Sequence, residues 1–260
     1  LPKLEEVLRD PEQLAGLARF AEMAFGAVGF GLPDIQLMHC DVPEWNHLDG
    51  LRIPEAAARV GMEPFEFYAR LTVASHRNAR VLNHTYSGDA GDEDALRAVL
   101  AHPLCTIETD TILTAQGHQN PASFGTFPRV LSTYVRAGLF SLEEAVRKMT
   151  GAAAERLGWS DRGFVRRGAA ADLVVFDPAR LRDTAGFEAP SLEPEGIDHV
   201  LVNGTLVLEA GRYDASARAG TVNGFDREGA CVSPARSADS ARVRSRAGLE
   251  KYVCAAASMP

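Results

Sequence analysis

Hydrophobic positions along the first quarter of the chain fall at helical spacing. Leu4, Val7, Leu8, Leu14, Leu17, Ala18 and Ala21 share one face, which predicts helix over residues 2–25. Pro11 must break or restart it, and Asp10 before Pro11 has the form of an N-cap followed by proline at the first helical position. The pattern then shortens to alternation at 34–39, a predicted strand, followed by a polar loop from Cys40 to Gly50. Helical spacing returns at about 54–60, closed by Gly61, and at about 63–76, with Phe65, Tyr68, Ala69 and Leu71 on one face. From there the chain predicts strand 79–85, helix 92–101, strand 105–111 and helix 127–137, an alternation that reads as parallel βα units. Ser141 with Glu144 forms a capping box ahead of a helix over 142–149, and a further helical turn covers 152–157. Residues 171–176 and 199–208 are strands, the second split by Asn203-Gly204, a strong hairpin signal. After Arg212 large apolar residues become scarce and seven Lys or Arg appear, so 213–260 reads as a disordered tail.

Composition narrows the picture. The chain has 260 residues, 46% hydrophobic and 24% charged, as in globular proteins. A formal net charge of −8 argues against a nucleic-acid partner. The chain has no apolar run of the roughly 18 residues that a transmembrane helix needs, so no membrane partner is expected, and the expected location is cytoplasmic. The four cysteines, at 40, 105, 231 and 254, make no CxxC pair. Cys105 reads as a small buried strand residue, and His39-Cys40 reads either as a metal contact or as an inert strand end.

Candidate chemistry concentrates in Cys105–Arg129, where carboxylates end a strand and a polar loop leads to a helix. That is the layout of the catalytic face of a β/α barrel. Asp110 there either serves a metal, as ligand or as base toward metal-bound water, or caps a turn. His84, Tyr86 and Asp89 lie beyond a second strand on the same expected rim. His84 there either lines the pocket or caps its strand. His118 sits in the loop above the pocket, where specificity resides. His102 at a helix end and His199 in the C-terminal strands read as structural.

The segments His-Pro-Leu-Cys-Thr-Ile-Glu-Thr-Asp (102–110), Gly-Thr-Phe-Pro-Arg (125–129) and Gly-Ala-Ala-Ala-Asp-Leu-Val-Val-Phe-Asp (168–177) resemble the D-aminoacylase family, the N-acyl-D-amino-acid deacylases of the amidohydrolase superfamily. The resemblance runs from about Val81 to about Gly211, roughly half the chain. It implies an α/β fold, the C-terminal part of a metal-dependent hydrolase (β/α)8 TIM-like barrel plus a small β-sandwich domain. The implied boundaries are 1–160 for the barrel part, 161–212 for the β domain and 213–260 for the tail. It also implies hydrolysis of the amide bond of N-acyl-D-amino acids or related compounds, with one or two Zn²⁺ in the full-length enzyme. Asp110 takes the place of the family's last-strand catalytic Asp and is a candidate metal ligand; His118, His84 and Tyr86 are candidate substrate contacts. The family's other ligands include an early His-x-His, which this chain lacks, so a longer enzyme with its remaining ligands upstream is expected. A barrel piece of this kind exposes sheet edges and should be poorly stable alone. Two departures concern substrate. Asn120-Pro121-Ala122 stands where the family has His-Pro-Arg, and Thr111 where Gly often follows the Asp. An Arg at that place suits a substrate carboxylate, which it binds bidentately, and Ala122 cannot. The alternatives are a hydantoinase- or dihydroorotase-like hydrolase of cyclic amides and a non-catalytic remnant.

Overall fold

A computed structural model of the chain describes residues 1–85 and 93–220, and the backbone of 224–225 and 231–232. Two compact units emerge: residues 1–96 with 116–120, and 97–115 with 121–260.

The first unit opens with α1 (Pro2–Val7) and α2 (Pro11–Ala27). As expected, Asp10 caps α2, its side chain accepting from the backbone N–H of Glu12 at 3.0 Å and of Gln13 at 3.2 Å. Strand β1 (Ile35–His39) is buried along its whole length, and helices α3 (Ile53–Arg59) and α4 (Pro64–Ala74) follow. The core gathers Ile35, Leu37, Leu48, Ile53, Phe67 and Leu71, with the ring of Trp45 centred 5.3 Å from that of Phe67. Strand β2 (Arg80–Asn83) pairs antiparallel with β1, Ile35 opposite Asn83 and Gln36 opposite Leu82. The parallel βα units expected over 79–137 are not formed among the described residues: β2 finds its partner upstream, in β1, and 105–111 makes no strand for it. Alternation identifies a strand but not its partner, and the two intervening helices leave either direction open.

Helix α5 (Glu93–Ala101) carries the chain from the first unit into the second. The strand expected at 105–111 is not formed. Residues 105–114 belong to no strand, and the Ile107 N–H donates to the carbonyl of Lys148 at a helix end instead of to a sheet ladder. Ile107 still enters a core with Val130, Ala145 and Met149, so its burial was legible while its pairing was not. The helix expected at 127 starts earlier, as α6 (Ala122–Arg129). Pro128 sits inside it rather than at its start; its ring removes a helical donor, and the helix widens to π geometry over Val130–Val135 directly afterwards. The N-cap half of the box expected at Ser141 forms, with the Glu144 N–H donating to Ser141 Oγ at 3.2 Å while the Glu144 carboxylate turns to Arg147, and it opens α7 (Leu142–Met149), followed by α8 (Gly151–Arg156).

Strands β3 (Leu173–Phe176), β4 (Ile197–Val202), β5 (Thr205–Glu209) and β6 (Arg212–Tyr213) form one antiparallel sheet in sequence order. The β4–β5 turn has Asn203 at φ 48° and Gly204 at φ 81°, the doubly left-handed conformation for which Asn-Gly is suited. The tail expected over 213–260 is described only to residue 220 and as a short antiparallel pair, Gly224–Phe225 with Cys231–Val232.

Trp45 and Trp159 are the two tryptophans of the chain, one in each unit. In a Trp159→Phe background, fluorescence of Trp45 reports the first unit alone. Phe67→Ala should then lower its unfolding free energy by about 3–5 kcal/mol. Phe20→Ala, at a side chain 61% exposed, should change it by less than about 0.5 kcal/mol. Urea titrations followed by Trp45 emission measure both.

Candidate functional site

Chemistry-bearing side chains gather in two places, one per unit. In the second unit the stem Cys105–Asp110 ends at Asp110, an exposed carboxylate on a backbone at φ 41°. Left-handed backbone is uncommon outside glycine, and Asp and Asn are the residues that tolerate it. A left-handed position at the tip of a stem anchored by the buried Ile107 is a place where function is to be sought. The stem is held from below. Lys148 is fully buried on α7; its Nζ donates to the carbonyl oxygens of His102 at 2.5 Å and Cys105 at 3.3 Å, and lies 3.6 Å from Glu144 Oε1. Its own carbonyl receives the Ile107 N–H at 3.2 Å. His102 thus serves through its backbone.

The Gly-Thr-Phe-Pro-Arg motif lies in α6 and does packing work. A Cβ on Gly125 would meet Asp183 Oδ1 at 2.5 Å, so glycine admits that carboxylate against the helix. Arg129 pairs with Asp183 at 3.6 Å, and Phe127 and Pro128 line a small apolar cavity with Met149, Val174 and Leu181. Ala122, standing where the family's Arg was expected, is the first residue of α6.

In the first unit His84 and His118 are brought together by a residue the sequence did not single out. Gln36, buried on β1, accepts from His84 Nε2 at 3.0 Å and lies 3.4 Å from His118 Nε2; its amide also donates to the Gly50 carbonyl at 2.8 Å. Arg52 donates from NH2 to His84 Nδ1 at 3.1 Å and from NH1 to the Pro33 carbonyl at 2.8 Å. A guanidinium only donates, which assigns Nδ1 of His84 as acceptor and Nε2–H as donor. Every link then points one way: Arg52 to His84, His84 to Gln36, Gln36 to His118, an arrangement in which each bond polarises the next. Burial first and the Arg52 charge second push the His84 pKa below its ordinary value, against the opposing pull of Asp34. The segment carrying His118 is locked to β1 by the His118 N–H to Met38 carbonyl bond at 2.6 Å, and a Cβ on Gly117 would overlap that same carbonyl oxygen. Tyr86 and Asp89 lie outside the described residues.

Next to this chain sits a second pair. Asp49 Oδ2 holds His39 Nδ1 at 2.8 Å, and its Oδ1 accepts the Cys40 N–H at 2.8 Å. Cys40 is fully buried, and burial together with the Asp49 charge pushes its thiol up to about 12, so it stays protonated. A zinc site draws on about three protein donors. Among the described residues no three His, Cys, Asp or Glu converge to hold a metal ion. Asp110 on its own is one donor, and the donors here do not make a complete cage. His199 lies on β4, opposite Val175 and Glu209 in the sheet.

Comparison with known proteins covers the Gly-Thr-Phe-Pro-Arg motif. Residues 121–208 match the amidohydrolase family. The chain is 45% identical over 125 residues to N-acyl-D-aspartate deacylase of Alcaligenes xylosoxydans xylosoxydans, a match covering 48% of this chain and 25% of that protein. The structure is similar to N-acyl-D-glutamate deacylase of Bordetella bronchiseptica, solved with zinc and a phosphonate mimic of the tetrahedral intermediate, with a TM-score of 0.62 at 34% identity over 74% of this chain and 37% of that one. It is also similar to a D-aminoacylase with a binuclear metal centre, TM-score 0.58 at 36% identity over 69% of this chain and 35% of that one. The chain thus spans about a quarter of the length of the curated relative it matches. Over the matched part, the chain resembles the D-aminoacylases in sequence and in structure, and its mixed helix and sheet accord with part of an α/β barrel fold of that kind.

Protonation of His84 would break its bond from Arg52. Its pKa is lowered in the fold, so the unfolded chain binds the extra proton more readily. The stability of the first unit should therefore be level above about pH 6.5 and fall as the pH drops below it. Urea midpoints between about pH 8 and pH 5 should show this decline, and His84→Leu, less stable throughout, should flatten it.

Proposed function

We propose that this chain is the C-terminal part of a metal-dependent amidohydrolase that cleaves the amide bond of N-acyl-D-amino acids or close relatives. The observation that carries the reading is Asp110: an exposed carboxylate held on left-handed backbone at the tip of a pinned stem, in a chain 45% identical over 125 residues to a D-amino-acid deacylase. In this reading an upstream segment supplies the remaining donors for one or two zinc ions, and Asp110 contributes one donor. The metal supplies Lewis acidity when bound. Asp110 accepts the proton of the attacking water and passes it to the leaving nitrogen. His118 and His84, joined through Gln36, and Tyr86 contact the substrate. Residues 1–160 contribute to the barrel, 161–212 form the β domain, and 213–260 follow as a tail. The small-molecule amide is the partner. A net charge of −8 supports the exclusion of nucleic acid. Among the described residues no helix is long and apolar enough to cross a membrane, and a cytoplasmic location belongs to the same reading. Ala122 leaves the substrate carboxylate without the family's guanidinium, which keeps cyclic amides as the second reading.

Asp110→Asn tests the assignment cleanly, because Asn shares the tolerance of left-handed backbone and keeps the shape while losing the base. In the full-length enzyme, upstream segment included, the substitution should lower kcat by about 10²–10⁴, or about 3–5 kcal/mol of transition-state stabilisation, with little change in melting temperature. Metal content is measured alongside. N-acetyl-D-glutamate, N-acetyl-D-methionine and a hydantoin serve as substrates, and turnover of the hydantoin alone would favour the cyclic reading. A variant that melts several degrees lower yet turns over within about threefold of wild type would mark Asp110 as a turn cap instead.

A further inference from the structure

Among the described residues, one buried cation is left unused by the proposed chemistry. Lys148 is 0% exposed on α7, the helix that gives Ala145 and Met149 to the core with Ile107. Burying an amino group costs free energy unless its charge and donors are satisfied. Glu144, 3.6 Å away, answers the charge, and the hydrogen bonds go to one short stretch of chain. Nζ donates to the His102 and Cys105 carbonyls, and the Lys148 carbonyl takes the Ile107 N–H. Both ends of one residue therefore grip 102–107, three residues before Asp110. His102 also accepts the Cys105 N–H at 3.0 Å, so Nζ ties down a turn that is already closed. The adjacent Arg147 reaches the Pro103 carbonyl at 3.4 Å while held by Glu144 at 2.6 Å, which adds a second clamp to the same turn. Residues 105–110 belong to no strand among the described residues, so no sheet ladder does this work.

We infer that Lys148 is a positioning residue, which sets the place of the Asp110 carboxylate by fixing the stem that carries it. The inference rests on the reading of Asp110 as the proton acceptor. A displaced base loses rate without losing substrate affinity, because misplacement by about 1 Å costs on the order of 10²-fold in turnover. Methionine is the fitting probe: it keeps the length and helix propensity of lysine and removes every donor.

The test is a double-substitution cycle in the full-length enzyme, with N-acetyl-D-glutamate and N-acetyl-D-methionine as substrates. Lys148→Met should lower kcat by about 10–100-fold with KM within about threefold. In the Asp110→Asn background the same change should cost less than about threefold, since the base it positions is already gone. Costs that multiply in full would overturn the inference, because a general structural defect does not depend on Asp110. A near-normal rate for Asp110→Asn alone would instead sink the catalytic reading, a distinct result. Hydrogen exchange of the full chain supplies a readout independent of activity. The Ile107 amide should be protected in wild type and released in Lys148→Met while the amides of β3–β5 keep their protection. An Ile107 amide exchanging in wild type at the rate of an unstructured peptide would also overturn it. Should Lys148→Met fail to fold, Lys148→Gln replaces it in the cycle; failure of both assigns Lys148 to folding alone and overturns the positioning role.

Discussion

A backbone that leaves a sheet must still satisfy its polar groups, and the segment around Asp110 depends on how that is done. Between His102 and Ile107 the donors and acceptors that a ladder would engage are met by the end of α7 and by the amino group of Lys148. That arrangement fixes a stretch of chain by its main chain and leaves its side chains available. Ile107 packs inward, and Asp110 emerges exposed. The Ser141 cap belongs to the same device, because it sets the start of the helix whose last turn carries Lys148.

In the first unit the organising constraint is direction rather than burial. Arg52 can only donate, and this single fact propagates through His84 and Gln36 to the ring of His118. Gln36 is suited to the middle place because an amide offers an acceptor on one atom and two donors on the other, with the second donor used on the Gly50 carbonyl. Gly117 permits the segment carrying His118 to lie against Met38 closely enough for the chain to close.

Local chemistry was legible in the sequence. The Asp10 cap, the Ser141 cap and the Asn203-Gly204 turn all act within a few residues, and each forms as its residues dictate. Ile107 was legible as a buried position. Contacts between distant residues were not. Gln36 meets His118 across 82 positions and Lys148 meets His102 across 46, and neither contact leaves a periodic trace. Gln36 reads locally as a polar residue in a strand, and Lys148 as the basic residue expected in the last turn of a helix. The partner of β2 was not legible for the same reason: pairing is a property of two segments, alternation of one.

Burial, helped by the Asp49 carboxylate that holds His39 and the Cys40 main chain, also sets the thiol chemistry of that end of β1. The Cys40 thiol, pushed up to about 12, stays protonated at neutral pH. Peroxide and disulfide exchange act on the thiolate, so a sulfur one residue from an imidazole is kept chemically silent. The His39 imidazole thereby neighbours a sulfur held in its less reactive thiol form, and the strand that orients Gln36 keeps Cys40 as a packing residue of its core.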